Sequence, residues 1–249
     1  MEPIVFYDLK RETAKELWAF SPNTWRSRAA LNIKGIPYKT VWLDFVELKP
    51  TLSKLDLEPV LGPVPYTVPT IYDPNTKKAI MDSQAINRYL EEQYPDRHVL
   101  FPKGTAALQA AWVDNITPKM IGQTLDPLLV MHVYNQASPA DRKYLRDTRR
   151  KMFGAELEQI EARGEVAERL MKNWEKQLAD AGKWIDLNGH GSVFIGGCAP
   201  VNADLDLHAV LKYCTLLAPD SRAASLALTT QNGRWANYLK AFEKWAQSV

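Results

Sequence analysis

Apolar and polar positions change rhythm along the chain, and the changes mark out elements. Pro3 to Tyr7 reads Pro-Ile-Val-Phe-Tyr, a short apolar run rich in strand formers that suits a buried strand. Leu9 to Phe20 is a long polar connection. At Ser21-Pro22 the period turns helical: a hydroxyl residue at the N-cap, proline at the first helical position, and Trp25, Ala29 and Ile33 four apart. Gly35 closes that helix, with Pro37 just beyond. Thr40 to Leu43 predicts a second strand, and strand, helix, strand in this order imply parallel pairing. After a proline-rich irregular stretch from Glu58 to Thr67, Val68-Pro69-Thr70-Ile71-Tyr72 and Lys78-Ala79-Ile80 flank Asp73-Pro74-Asn75-Thr76, a hairpin signal. Asp82-Ser83 then opens a helix with Ala85, Ile86, Tyr89 and Leu90 on one side, ending at Tyr94-Pro95.

Strand signals nearly stop after residue 81. The spacing of Leu145, Met152, Phe153, Leu157, Ile160, Leu170, Met171, Trp174, Leu178 and Ala181 predicts one or two long amphipathic helices over roughly 140–182. The expected architecture is a small α/β domain over 1–96, a linker containing Pro102 at 97–104, and an all-helical domain over 105–249.

Composition narrows the function classes. A chain of 249 residues, 46% of them apolar, is long enough to bury cores without covalent staples, and no apolar run reaches the length of a membrane span. The opening Met1-Glu2-Pro3 lacks a basic stretch followed by an apolar one, so a cytosolic location and no membrane partner are expected. Cys198 and Cys214 match neither a disulfide framework nor a zinc spacing, and the four histidines show no i, i+4 pair, so no metal is expected. The 31 Lys plus Arg are nearly balanced by 29 Asp plus Glu and interspersed with them, which argues against nucleic acid and for a small-molecule partner. Arg149-Arg150-Lys151 reads as a solvated face of a helix.

Three short motifs carry candidate chemistry. Ser21-Pro22-Asn23-Thr24 puts a hydroxyl beside free backbone N–H groups and the positive end of a helix dipole, a corner that favours an anion; on its own a plain N-cap explains it. No G-x-S-x-G surrounds Ser21, so a serine hydrolase is not indicated. Val68-Pro69 places a proline at a strand entry, where a cis bond would present the N–H and C=O of Val68 as a pairing edge, although trans is the commoner form. Asp82-Ser83 offers a carboxylate and a hydroxyl at another helix start, which also serve as a cap.

Taken together, in order and spacing, residues 3 to about 102 resemble the cytosolic glutathione transferases, whose members join a thioredoxin-like domain to a helical one. The first motif, Ser21 to Arg28, is similar to omega-class enzymes with serine where they carry cysteine. Ser21 to Lys34 with Gly35-Ile36-Pro37-Tyr38-Lys39-Thr40-Val41-Trp42 looks more like the fungal etherase-related class called FuA. The resemblance implies a thioredoxin-like α/β domain followed by an all-α domain, glutathione as co-substrate, and a homodimer. It implies that Val68, ahead of a cis Pro69, pairs with the cysteinyl backbone of glutathione, and that Asp82 and Ser83 hold its γ-glutamyl end. Many classes have glutamate where Asp82 stands, so the contact to the ligand amine is one methylene longer and suits a bridging water.

In the second domain the family's capping box is altered: Val201 cannot cap, which leaves Asp204 as the N3 acceptor or Asn202 as the cap, and Cys214 as a core thiol. The implied activity is attack of the glutathione thiol on hydrophobic or aromatic electrophiles in detoxification, with ether cleavage or peroxide reduction as related outcomes. Ser21 is the expected hydrogen-bond donor to sulfur, Asn23 a second and Thr24 a third; Ser27, one turn further in, has poorer reach. Thiol–disulfide exchange is disfavoured because serine forms no mixed disulfide. Phe20, Trp25, Trp112 and Met120, with Trp18, are candidate lining for the second substrate, each with core packing as its alternative, and the 9–20 segment is either part of that wall or a surface excursion. The rival reading is a glutathione-linked ligandin that sequesters aromatic or polyphenolic compounds with little turnover.

Overall fold

The computed structural model describes residues 1–12 and 17–246, with the side chains of 11, 12, 17 and 18 outside that description, so the expectation for Trp18 as lining falls outside it too. Strand β1 (Ile4–Glu12) is followed by β2 (Leu17–Ala19), helix α1 (Pro22–Lys34), β3 (Tyr38–Leu43), a short α2 (Leu48–Leu52), the hairpin β4 (Thr70–Asp73) and β5 (Lys78–Met81), and α3 (Ser83–Gln93). β1 lies at the centre of a mixed sheet. It pairs parallel with β3 from Ile4↔Tyr38 to Leu9↔Leu43, and antiparallel with β4 from Val5↔Tyr72 to Tyr7↔Thr70. Its far end pairs antiparallel with β2, Lys10 opposite Ala19. The polar connection expected between Leu9 and Phe20 is therefore largely a strand extension with a short returning partner.

The local signals explain why these elements form where they do. α1 ends because Gly35 adopts a left-handed φ of 60° and its N–H turns back to the carbonyls of Leu31 and Asn32. The inner faces of β1, β4 and α1 meet through Ile4, Phe6, Leu31 and Ile71, all fully buried. Each such side chain contributes about 1.5–3 kcal/mol by leaving water. One charged pair shares this interior: Arg28 Nη2 lies 2.7 Å from Asp8 Oδ2 with both side chains fully buried, and the guanidinium also donates to Tyr38 and Thr40.

Every element after β5 is helical among the described residues: α3, then α4 (Ala106–Asn115), α5 (Thr117–Met120), a π-helical turn (Ile121–Leu125), α6 (Asp126–Asn135), α7 (Pro139–Phe153), α8 (Leu157–Ile160), α9 (Gly164–Asp186), α10 (Asn202–Leu217) and α11 (Arg222–Phe242). The amphipathic stretch at 140–182 is two long helices with a one-turn helix between them, because Gly154 takes a left-handed φ of 68° after α7. α10 is the buried axis of this half and packs against α1. Asp204 serves as the N3 acceptor, taking N–H groups from Val201 (2.9 Å), Ile195 (2.6 Å) and Gly196 (3.0 Å). Asn202 does not cap; its amide joins the halves by accepting from Asn87 at 2.7 Å and donating to Gln84 at 2.9 Å. Between the halves, Glu91 accepts the N–H groups of Leu100 and Phe101 while pairing with Lys34 at 2.7 Å, so residues beyond α3 are held to α1. Cys214 is a buried free thiol whose pKa burial pushes up to about 12.

Candidate active site at the start of the first helix

Ser21 precedes α1 with extended backbone, and its side chain makes no capping hydrogen bond. Its carbonyl instead accepts from the N–H of Trp25 at 3.1 Å and from Thr24 Oγ1 at 3.0 Å. Pro22 has no N–H, so the amides of Asn23 and Thr24 are the first free donors of the helix, at the positive end of its dipole. Among the described residues the hydroxyl of Ser21 is thus not consumed by the fold, although the residue is only 7% exposed.

Ser21 opens into a cavity of about 310 Å³ between the two halves of the chain. Val68, whose bond to Pro69 is cis, lines the same cavity. Neither the N–H nor the C=O of Val68 is taken by another backbone group among the described residues, so it offers an extended donor–acceptor pair. The far wall is apolar and aromatic: Phe20, Phe45, Ile121, Val133 and Met152. Phe45 stacks on Tyr144 with ring centroids 6.0 Å apart.

A second cavity of about 420 Å³ adjoins the first, and Asn23, Ile121 and Asp126 line both. It holds Asp82 and Ser83, together with Gln84, Arg26 and Asp114. Asp82 sits at φ 88°, a region that a non-glycine residue adopts at a cost, and one oxygen caps α3 by accepting from Gln84 N (2.9 Å) and Ala85 N (3.0 Å). Arg26 donates to Asn23 Oδ1 at 2.9 Å and pairs with the fully buried Asp206 of α10 at 2.5 Å. Burial outweighs the pull of Arg26 and raises the Asp206 pKa to about 6; Thr117 also donates to this carboxylate.

The structure brings Ser21, Asn23, Val68, Asp82, Ser83 and Phe20 to this paired cleft. It does not bring Thr24, Trp25, Trp112 or Met120 there. Thr24 is fully buried and its hydroxyl turns back to Ser21 O and towards Asp8. Trp25 packs into the interface with α10, its indole N–H donating to Ala19 O at 3.0 Å and its ring edge-on to His208. Trp112 pairs edge-on with Trp184 away from the cleft, and Met120 is 1% exposed and lines a different depression beside Lys119. Ser27 donates to Ser83 O at 3.3 Å, which removes it as a rival to Ser21.

Sequence reasoning missed Arg149, Tyr144, Asp126 and Tyr213, all of which line the first cavity. Arg149 departs from the solvated face expected of it: only Arg150 and Lys151 of that run are exposed. The helical phase held the signal, since Leu145, Arg149 and Met152 are spaced i, i+4, i+7 on one face of α7. Tyr213 donates to Asp126 Oδ1 at 3.0 Å; burial raises the pKa of both, most strongly that of Tyr213.

The glutathione S-transferase N-terminal domain family matches residues 18–98, and the glutathione S-transferase C-terminal domain family matches 107–245. The chain belongs to the glutathione S-transferase family. It is similar to the glutathione S-transferase-like protein ustS of Aspergillus flavus, 31% identical over 225 residues that cover 85% of this chain and 80% of that one. Among solved structures it is similar to glutathione transferase GSTFuA3 from Phanerochaete chrysosporium, with 31% identity, TM-score 0.88, and coverage of 100% and 98% of the two chains. The glutathione S-transferase CsGST63524 of Ceriporiopsis subvermispora, determined in complex with glutathione, is 32% identical with TM-score 0.88 and coverage of 100% and 99%. The likeness to the FuA class read from residues 21–42 thus extends over the whole chain.

Proposed function

We propose that this protein is a serine-type glutathione transferase in which Ser21 donates a hydrogen bond to the glutathione sulfur. The observation that carries this reading is the Ser21 hydroxyl, free of any capping bond and opening into the same cavity as the unpaired backbone of Val68. An extended tripeptide paired with Val68 has its sulfur near that corner and its γ-glutamyl end in the adjoining cavity. There the uncapped oxygen of Asp82 and the start of α3 at Ser83 suit its amine and carboxylate. Asn23 uses only its carbonyl oxygen on Arg26, which leaves its amide as a second donor. The first cavity then receives a hydrophobic or aromatic electrophile, consistent with a detoxifying role in the cytosol. A homodimer goes with the family.

Two measurements test this. Calorimetric titration with glutathione should show binding at a single site per chain, and conjugation assays over a panel of aryl halides and isothiocyanates should show turnover. Glutathione binding with tight uptake of polyphenols and negligible turnover would replace the enzyme by the ligandin. Sedimentation of the protein as a single species of 28.2 kDa would remove the dimer.

A further inference from the structure

The wall of the first cavity contains a cation that the fold leaves largely unsatisfied. Arg149 projects from α7 over the ring of Phe45 at 5.7 Å, and its one hydrogen bond among the described residues goes to the neighbouring Thr148 hydroxyl at 3.2 Å. Other arginines of α7 are paired: Arg146 with Glu158 at 2.7 Å and Arg150 with Glu156 at 2.5 Å. Asp126 shares the cavity, but one of its oxygens is held by Tyr213 and it forms no ion pair with Arg149. Asp126 acts on Arg149 only at a distance, and a guanidinium that carries five N–H donors in a planar fork is costly to bury against an aromatic wall with no carboxylate bonded to it, unless something else supplies acceptors.

We propose that this chain selects second substrates that carry an anionic oxygen group, such as a carboxylate or phenolate on an aromatic ring, with Arg149 as the residue that recognises it. The ring lies against Phe20, Phe45 and Met152, and the anion takes the fork of Arg149, with the Tyr144 hydroxyl on the same helix as a further donor. The inference rests on the transferase reading, which by itself asks only for an apolar electrophile.

A matched pair of probes isolates the charge: 4-chloro-3-nitrobenzoate and 4-chloro-3-nitrobenzamide. In both, the glutathione sulfur bonds to the ring carbon bearing chlorine and chloride leaves with the bonding pair. The readout is the ratio of kcat/KM for acid over amide, each divided by its uncatalysed rate. This ratio does not depend on how much of a variant is folded.

The native protein should favour the acid by about 10-fold to 100-fold, the range of a charge-assisted pair. Arg149→Gln should bring the ratio close to one, and Arg149→Lys should retain part of it. A native ratio near one, or a ratio unchanged in Arg149→Gln, overturns the inference while glutathione binding and amide turnover keep the transferase reading intact. Failure of glutathione to bind removes both.

Discussion

Ser21→Ala separates the chemistry of the corner from its architecture. Because the Ser21 side chain caps nothing, the substitution removes no internal hydrogen bond, and its cost to stability should stay within about 0.5 kcal/mol, below the range for a lost cap. Its effect on bound thiol should be larger. A hydrogen bond to a charged group contributes about 1.5–3 kcal/mol, equivalent to about 1–2 pKa units at 1.36 kcal/mol per unit. With two units, a thiol ionising near pH 6.5 is about 75% thiolate at pH 7, and the unassisted thiol with a pKa near 8.5 only about 3%. The weaker thiolate is also the poorer nucleophile by roughly eightfold at a Brønsted coefficient of about 0.45, so the net loss at pH 7 is only about threefold. The assay is therefore the pH profile of kcat/KM rather than a single rate. The midpoint should move up by about 1–2 units in Ser21→Ala; for a two-unit shift the deficit should vanish near about pH 7.6 and turn into an advantage of about sixfold by about pH 9, and the glutathione Kd should change little. An unmoved midpoint would refute the role of Ser21.

Other perturbations test other parts of the reasoning. Asp82→Ala removes the acceptor of two N–H groups at a position with φ 88° and should cost about 1–2 kcal/mol in urea unfolding, whereas Asp82→Asn should keep that stability and still weaken glutathione binding in calorimetry; equal affinities would assign Asp82 to capping alone. Asp8→Ala strands the buried Arg28 charge and should destabilise by about 3–5 kcal/mol, with Asp8→Leu/Arg28→Met recovering much of it; a loss under 1 kcal/mol would contradict the burial of the pair. Burial lowers the His208 pKa to about 3, so this imidazole is neutral when folded but protonates near 6.5 when unfolded, and it removes about 2 kcal/mol of stability between pH 7 and pH 5. Asp204 and Asp206, raised to about 6, act with the opposite sign: their contribution is complete below the unfolded carboxylate range and is lost as pH rises through 6. Native stability should therefore change little from pH 7 to pH 5, while His208→Phe should gain in stability over that interval; parallel profiles would contradict a neutral His208.

What could be read from the chain was what is encoded locally. The start of α1, its stop at Gly35, the hairpin around residues 73–76 and the start of α3 each rest on a few adjacent residues with a definite capping or turn chemistry. β2 was not legible because three residues carry no period, and it exists only through its register against the end of β1. The cleft was half legible. Ser21, Val68, Asp82 and Ser83 stand at element boundaries, where residue type implies backbone geometry. The wall of the first cavity is decided by helix phase and by how α7 and α10 sit against the first half. Residue type misled there: Trp25 and Met120 face cores, and Arg149 faces the cavity.

The partition between the two cavities has a kinetic consequence. Ile121, which lines both, belongs to a π-helical turn, a wider form that occurs mostly as single turns and often beside functional sites. A molecule that spans both chambers loses its translational freedom once for two sets of contacts, and so it is held more firmly than either half alone. On the proposed reading the joined product is such a molecule, and its escape past this divider is expected to slow turnover.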